Sequence, residues 1–359
     1  MTSRRLPHID VLKALAAQVI VLHHLVSYGP IARAAHEALP LLAGAMHQYG
    51  RMAVQVFLVV AGYLSARGLS PRGRALQAAA PALLWRRYLR LVLPFLAALA
   101  LTLAVCELVE SVWPELVPED IGLGQLLAHA LLLHGVLGYE ALTVGAWYVA
   151  IDLQLFAVLV GLLWLARRGW RHPSRLVVGP LLVAALALAS AFVFNRDASL
   201  DAWAPYFFAA YGLGALVHWL GLWRHRRAGL LLLAAAFGAA LWLDWRDRLA
   251  LALATALWLA WAEARAGSGR PLLPQRWDAA LAAWATPSYA LFLLHFPVLL
   301  LTNALLAQAP GASPETGLML LVVTWALANC LALPFHRWVE VPAGRFDPLA
   351  LLRPRLRTA

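Results

Sequence analysis

The residues with chemistry to offer sit where a bilayer would make them expensive. Between Ile9 and Leu25 the chain reads IDVLKALAAQVIVLHHL, apolar enough to enter a membrane yet carrying Asp10, Lys13, His23 and His24 on one expected helix. A charged or ionisable group at the centre of a span costs about 2.5–3.5 kcal/mol on insertion scales, so it faces a bundle interior and marks a functional path. Lys13 and His24 are eleven residues apart, about 16 Å along a helix. With Lys13 at one interface, His24 lies about halfway across or a little beyond. Imidazole takes and returns a proton near neutral pH, so His24 is a candidate general base; an interhelical hydrogen bond is the structural alternative. His23 points about 100° away on the helix and is read as structural.

Further along, Asp152 is an acid well inside an apolar run, expected near the depth of His24. Pairing with His24 would fix the imidazole tautomer and favour the imidazolium; a structural pair with another helix is the alternative. Gln154 could add a hydrogen bond. In WRRYLRLVLP, Arg87 and Arg90 share a helix face at i,i+3, and guanidinium forks suit phosphates. Ordinary anchoring of a span by basic residues is the structural alternative. His295 lies in SYALFLLHFPV with Ser288 and Tyr289 one to two turns earlier, and serves either as a hydrogen-bonding group or as a substrate contact.

Composition describes the elements that must hold these residues: 62% of the 359 residues are hydrophobic and 13% are charged, with a mean hydropathy of +0.71. That is an all-α polytopic membrane bundle. Spans are expected at about 9–28, 51–67, 86–109, 145–166, 176–194, 203–223, 228–243, 248–263, 286–308 and 316–338. A further segment, about 121–138, is read as a short re-entrant or surface helix. With ten spans and a cytoplasmic N-terminus, 24 of the 29 basic residues fall on the inner side, and both termini are cytoplasmic. Were 121–138 to cross, the later arginine clusters would switch sides.

The formal charge of +11 belongs to these loop clusters and gives no reason to expect nucleic acid. Arg4, Arg5 and Ala32-Arg33-Ala34 raise a signal peptide, but Lys13 and the two histidines fit its apolar core poorly, so the run is read as retained. Cys106 and Cys330 form no CxxC, and no metal-ligand cluster is expected. Residues 1–345 read as one membrane domain and 346–359 as a basic cytoplasmic tail. Trp85, Trp113, Trp147, Trp203, Trp223 and Trp245 fall at span ends as an aromatic belt.

Several motifs together resemble the acyltransferase 3 family of bacterial integral-membrane acyltransferases. They are Asp10, Lys13 and His24 in the first span; VFLVVAGYL at 56–64, with Tyr63 and with Ala61 where the family has serine; Arg87 and Arg90; GAWYVAIDLQLF at 145–156, with Trp147, Asp152 and Gln154; SYALFLLHFPV; and RWVEVP with Glu340. The family's usual basic residue at Lys13 is arginine, whose bidentate fork lysine lacks.

The resemblance implies transfer of an acyl group, commonly acetyl from acetyl-CoA, to a hydroxyl of a cell-envelope glycan, a lipid or a small molecule. It implies a multi-pass protein of the bacterial inner membrane, among its lipids, with acyl-CoA as co-substrate and no permanently bound cofactor. On that reading His24 and Asp152 serve catalysis and Lys13, Arg87 and Arg90 meet the donor, while Asp10, Tyr63, Trp147, Gln154, Ser288, Tyr289, His295 and Glu340 support them. A proton-coupled transporter is the rival, since intramembrane His, Asp and Lys serve that role too, but no paired halves are visible.

Overall fold

A computed structural model of the chain describes residues 6–73, 76, 78–112, 121–168, 178–269, 272, 274–309 and 311–346. Among these there is no strand, as expected where no water competes for backbone groups and each helix satisfies its own. The helices are α1 (Pro7–Leu25), α2 (Gly29–Ala38), α3 (Pro40–Tyr49), α4 (Val54–Leu69), α5 (Ala80–Val109), α6 (Leu123–Ala130) and α7 (Ala146–Arg168). They continue as α8 (Val178–Phe192), α9 (Ala204–Leu220), α10 (Arg226–Leu243), α11 (Asp247–Gly267), α12 (Asp278–Ala285), α13 (Ser288–Ala307) and α14 (Pro314–Phe335).

Nine helical runs among the described residues are long and apolar enough to cross a membrane, against ten spans expected. The difference is α9, whose 17 residues extend about 26 Å. Despite its length it is buried on every side, packed chiefly on α4 and α8. Glycines set that approach: a Cβ on Gly62 would overlap the Tyr211 carbonyl, and one on Gly214 the Val59 carbonyl. Small residues at crossings replace the hydrophobic drive that lipid cannot supply.

Three further departures from the expected spans have local causes. The first span stops at Leu25, not near residue 28. Beyond it the chain forms not a loop but two helices, α2 and α3, each with proline in its first turn, where the missing N–H costs nothing. Finally, α3 and α4 join through a 3₁₀ turn at Gly50–Ala53 into a 30-residue run, Pro40–Leu69, that continues past the end of α1. The segment expected to be a short helix is α6, held by its histidines: His129 Nδ1 donates to the Gln125 carbonyl at 2.8 Å and its Nε2 accepts from the Leu142 N–H at 3.0 Å. His134 stacks on His129 with centroids 4.2 Å apart, and burial together with that neighbour pushes its pKa down to about 4.

Helix α1 lies at the seam of two packed groups. Ile9, Ala16 and Ile20 join a cluster built with α4, α7, α8, α9 and α11, while Ala17, Val21 and Leu25 join one built with α5, α13 and α14. The short helix α12 also packs on α1. Pro94 and Pro297 sit inside unbroken helices. Helix α14 passes into a π turn at His336–Glu340, a form frequent at functional sites. Of the belt tryptophans, Trp85, Trp147, Trp203, Trp223 and Trp245 are exposed; Trp113 and the basic tail from residue 347 lie outside the described residues.

Candidate active site

The seam position of α1 brings its last turn against α13, and there two buried imidazoles meet. His24 Nδ1 lies 2.7 Å from His295 Nε2, with the rings nearly parallel and their centroids 4.8 Å apart. The tautomers follow from His295 Nδ1, which lies 3.2 Å from the Leu291 carbonyl. A carbonyl only accepts, so in the neutral ring that nitrogen carries the proton and Nε2 is a lone-pair acceptor. His24 must then donate from Nδ1, which leaves its Nε2 unprotonated. That nitrogen makes no hydrogen bond among the described residues. The backbone of α13 thus sets the His24 tautomer through His295 and leaves His24 Nε2 able to accept a proton.

The expected partner of His24 was Asp152, and the structure overturns that pairing. Asp152 Oδ2 accepts from Arg87 Nη2 at 2.5 Å, because α7 packs on α5 and Asp152 faces that helix. Arg87 also lies over the Phe156 ring, 5.2 Å from its centroid. A buried carboxylate requires a partner, and the guanidinium supplies a permanent charge where imidazole would supply a conditional one.

This ion pair borders a cavity of about 370 Å³ lined by Lys13, Arg87, Arg90, Asp152, Ser288, Tyr289 and Glu340, with Phe57, Tyr148, Phe156 and Phe292 as its apolar wall. Seven residues singled out in the sequence therefore converge there from α1, α5, α7, α13 and the π turn. Tyr289 is fixed by donating to the Leu91 carbonyl at 2.8 Å, and Glu340 Oε2 accepts from His336 Nδ1 at 2.8 Å. Phe292 links the cavity to the imidazole pair, its ring centroid 6.1 Å from that of His295.

Four other candidates stand apart from this lining. Tyr63 donates to Glu263, which also meets His8 Nε2 at 3.4 Å. Gln154 secures the start of α9, with its amide donating to the Ala202 carbonyl at 3.1 Å and its Oε1 accepting from the Ala204 N–H at 2.9 Å. Trp147 is exposed and packs on Tyr148 and Phe207. Asp10 is half-buried on α1. Sequence reasoning passed over Tyr148, whose place in an apolar run gave no signal. Among the described residues no group of three or more His, Cys, Asp or Glu side chains is placed to hold a metal ion.

No curated protein and no solved structure gives a significant match. The acyltransferase-domain family model, by contrast, matches residues 6–334, which span every element of the cavity except the π turn. The chain therefore belongs to the acyltransferase 3 family.

Proposed function

We propose that this membrane acyltransferase moves an acyl group, acetyl by family resemblance, from a cytoplasmic acyl-CoA to a hydroxyl of an envelope glycan, lipid or small molecule, in the bacterial inner membrane. The observation that carries the reading is His24 Nε2, a buried unprotonated nitrogen on the same helix as Lys13, whose partner His295 packs on Phe292 of the cavity that Lys13, Arg87 and Arg90 line. A cavity of this size suits part of a drug-sized ligand, so the acyl-bearing arm enters it while the nucleotide stays outside. Asp152 already neutralises Arg87. Arg90, on the same helix face, then adds attraction for the donor's phosphates.

In the reaction, His24 Nε2 takes the proton of the acceptor hydroxyl as its oxygen attacks the thioester carbonyl. The tetrahedral intermediate collapses with cleavage of the C–S bond, and His24 returns the proton to the departing thiolate. The products are an ester and free CoA thiol. Asp152 acts in this scheme by holding Arg87, and His295 acts by holding His24.

The test is purified protein with labelled acetyl-CoA and envelope extract as acceptor source. Label transfer with release of free thiol is expected in the parent and is lost in a folded His24→Ala variant that still binds CoA. Substrate counterflow without thioester turnover would assign a transporter instead and sink the reading.

A further inference from the structure

A second cavity, of about 540 Å³, opens at the other end of α1 from Lys13. It exists because α1 stops at Leu25 while the joined α3–α4 run continues past it, so the last turn of α1 forms the floor and α3 one wall. Its polar lining is His23, Ser27, Tyr28, His47, Gln48 and Arg51. The floor touches the candidate base directly: the His24 ring centroid is 5.1 Å from that of His23 and 5.9 Å from that of Tyr28.

Hydrogen bonding within this lining decides what it offers a ligand. His23 Nδ1 lies 3.2 Å from the Met46 carbonyl, so it donates there and leaves Nε2 as an acceptor. The Ser27 hydroxyl donates to the His23 carbonyl at 2.6 Å, so at 3.0 Å from His47 Nδ1 its oxygen accepts and the proton sits on His47. His47 Nε2 is then a second free acceptor. Two imidazole acceptors call for donors from the ligand, which hydroxyl groups provide. Arg51 is exposed and makes no ion pair among the described residues, and no carboxylate lines the cavity. A single uncompensated guanidinium calls for one anionic group.

We propose that this cavity is the acceptor site and that the acceptor is a hydroxylated anion, such as an acidic saccharide, whose reacting hydroxyl reaches His24 past His23 and Tyr28. The assignment of the ligand as acceptor rests on the acyl-transfer reading; its chemistry rests on the lining alone. Donor and acceptor then approach α1 from opposite ends, and neither has to pass the other.

The experiment reads occupancy without turnover, so its failure is distinct from failure of acyl transfer. A Cβ on Gly44 would meet nothing within 4 Å, so Gly44→Cys places a thiol in the cavity; exposed Cys330 is replaced by serine to remove background. Maleimide labelling of this protein in nanodiscs is followed with glucuronate, glucose or inorganic phosphate added, and no acyl-CoA. Glucuronate is expected to protect at about tenfold lower concentration than glucose, the size of one charge-assisted contact, with phosphate protecting least. Arg51→Gln should bring glucuronate down to the level of glucose while leaving glucose unchanged, which also shows that the variant is folded. Slowed labelling in phosphatidylglycerol relative to phosphatidylcholine nanodiscs, with no sugar added, would place the same chemistry on a lipid headgroup. Equal protection by glucose and glucuronate, or protection by phosphate alone, overturns the ligand class. Absence of protection by all three overturns the site.

Discussion

His295→Phe is the most informative single change, because phenylalanine keeps an aromatic ring against His24 and removes only the acceptor nitrogen. In the parent, His24 Nδ1–H is satisfied by His295 Nε2 at 2.7 Å, at a site where His295 is 1% exposed. Without that acceptor the N–H is buried and unpaired, a state that costs about 1–3 kcal/mol. The proton can instead move to Nε2, where the ring can no longer take one from a hydroxyl. At 1.4 kcal/mol per decade, the penalty favours the inactive tautomer about 5- to 150-fold, and kcat should fall by that factor. The acyl-CoA KM should stay within about threefold of the parent, since the basic residues of the donor cavity are untouched. His295→Gln restores an acceptor near the position of Nε2 and should recover most of the loss, as expected for a positioning residue. Steady-state thioester turnover over a range of acyl-CoA concentrations measures both constants, with a melting curve in detergent as the folding control. A well-folded His295→Phe protein with parental kcat, or one whose defect lies only in KM, would refute the tautomer reasoning.

Breaking the Arg87–Asp152 pair leaves a guanidinium, 22% exposed at the cavity, unmatched, so Asp152→Asn should cost about 1–3 kcal/mol of stability; adding Arg87→Met should recover part of it, whereas strict additivity in the thermal unfolding cycle would deny the coupling. Arg90→Ala should raise the apparent acyl-CoA constant about tenfold with kcat nearly kept, and a normal constant would move the donor site elsewhere. Gly62→Ala and Gly214→Ala each drive a methyl group into a facing carbonyl and should lose about 1–3 kcal/mol through overpacking, read as a lower melting temperature; parental stability would mean that α4 and α9 do not meet closely. For His134 the folded pKa of about 4 lies below the unfolded value of about 6.5, so between these the unfolded segment binds more protons and stability rises with pH. Residues 123–142 should exchange backbone hydrogens progressively faster as pH falls from about 6.5 towards 4, after correction for intrinsic exchange, and His134→Phe should flatten that dependence; an unchanged slope in the variant would assign it to another group.

The sequence by itself determined whatever depends on a residue and its own helix. A run of apolar side chains is incompatible with water over its whole length, so most spans were legible from composition. The cost of Lys13, His24, Asp152 and His295 in hydrocarbon likewise marked them without any knowledge of their neighbours. Even α9 was found, although its 17 residues fall short of full spanning length, because its apolar character is local. The helices α2 and α3 were not, since short segments at the end of a span carry a mixed pattern that reads equally as a loop. Only the tertiary structure decided which costly group meets which. His24 and His295 are 271 residues apart in sequence, and Arg87 and Asp152 are 65 apart. An intramembrane carboxylate needs a partner, but nothing in its own helix says whether that partner is an imidazole or a guanidinium. Helix packing made the choice, with α1 set against α13 and α5 against α7. The meeting of α1, α4, α5, α7 and α13 and the early end of α1 then set where the cavities lie, because a cavity is the space several helices leave between them and belongs to no single segment.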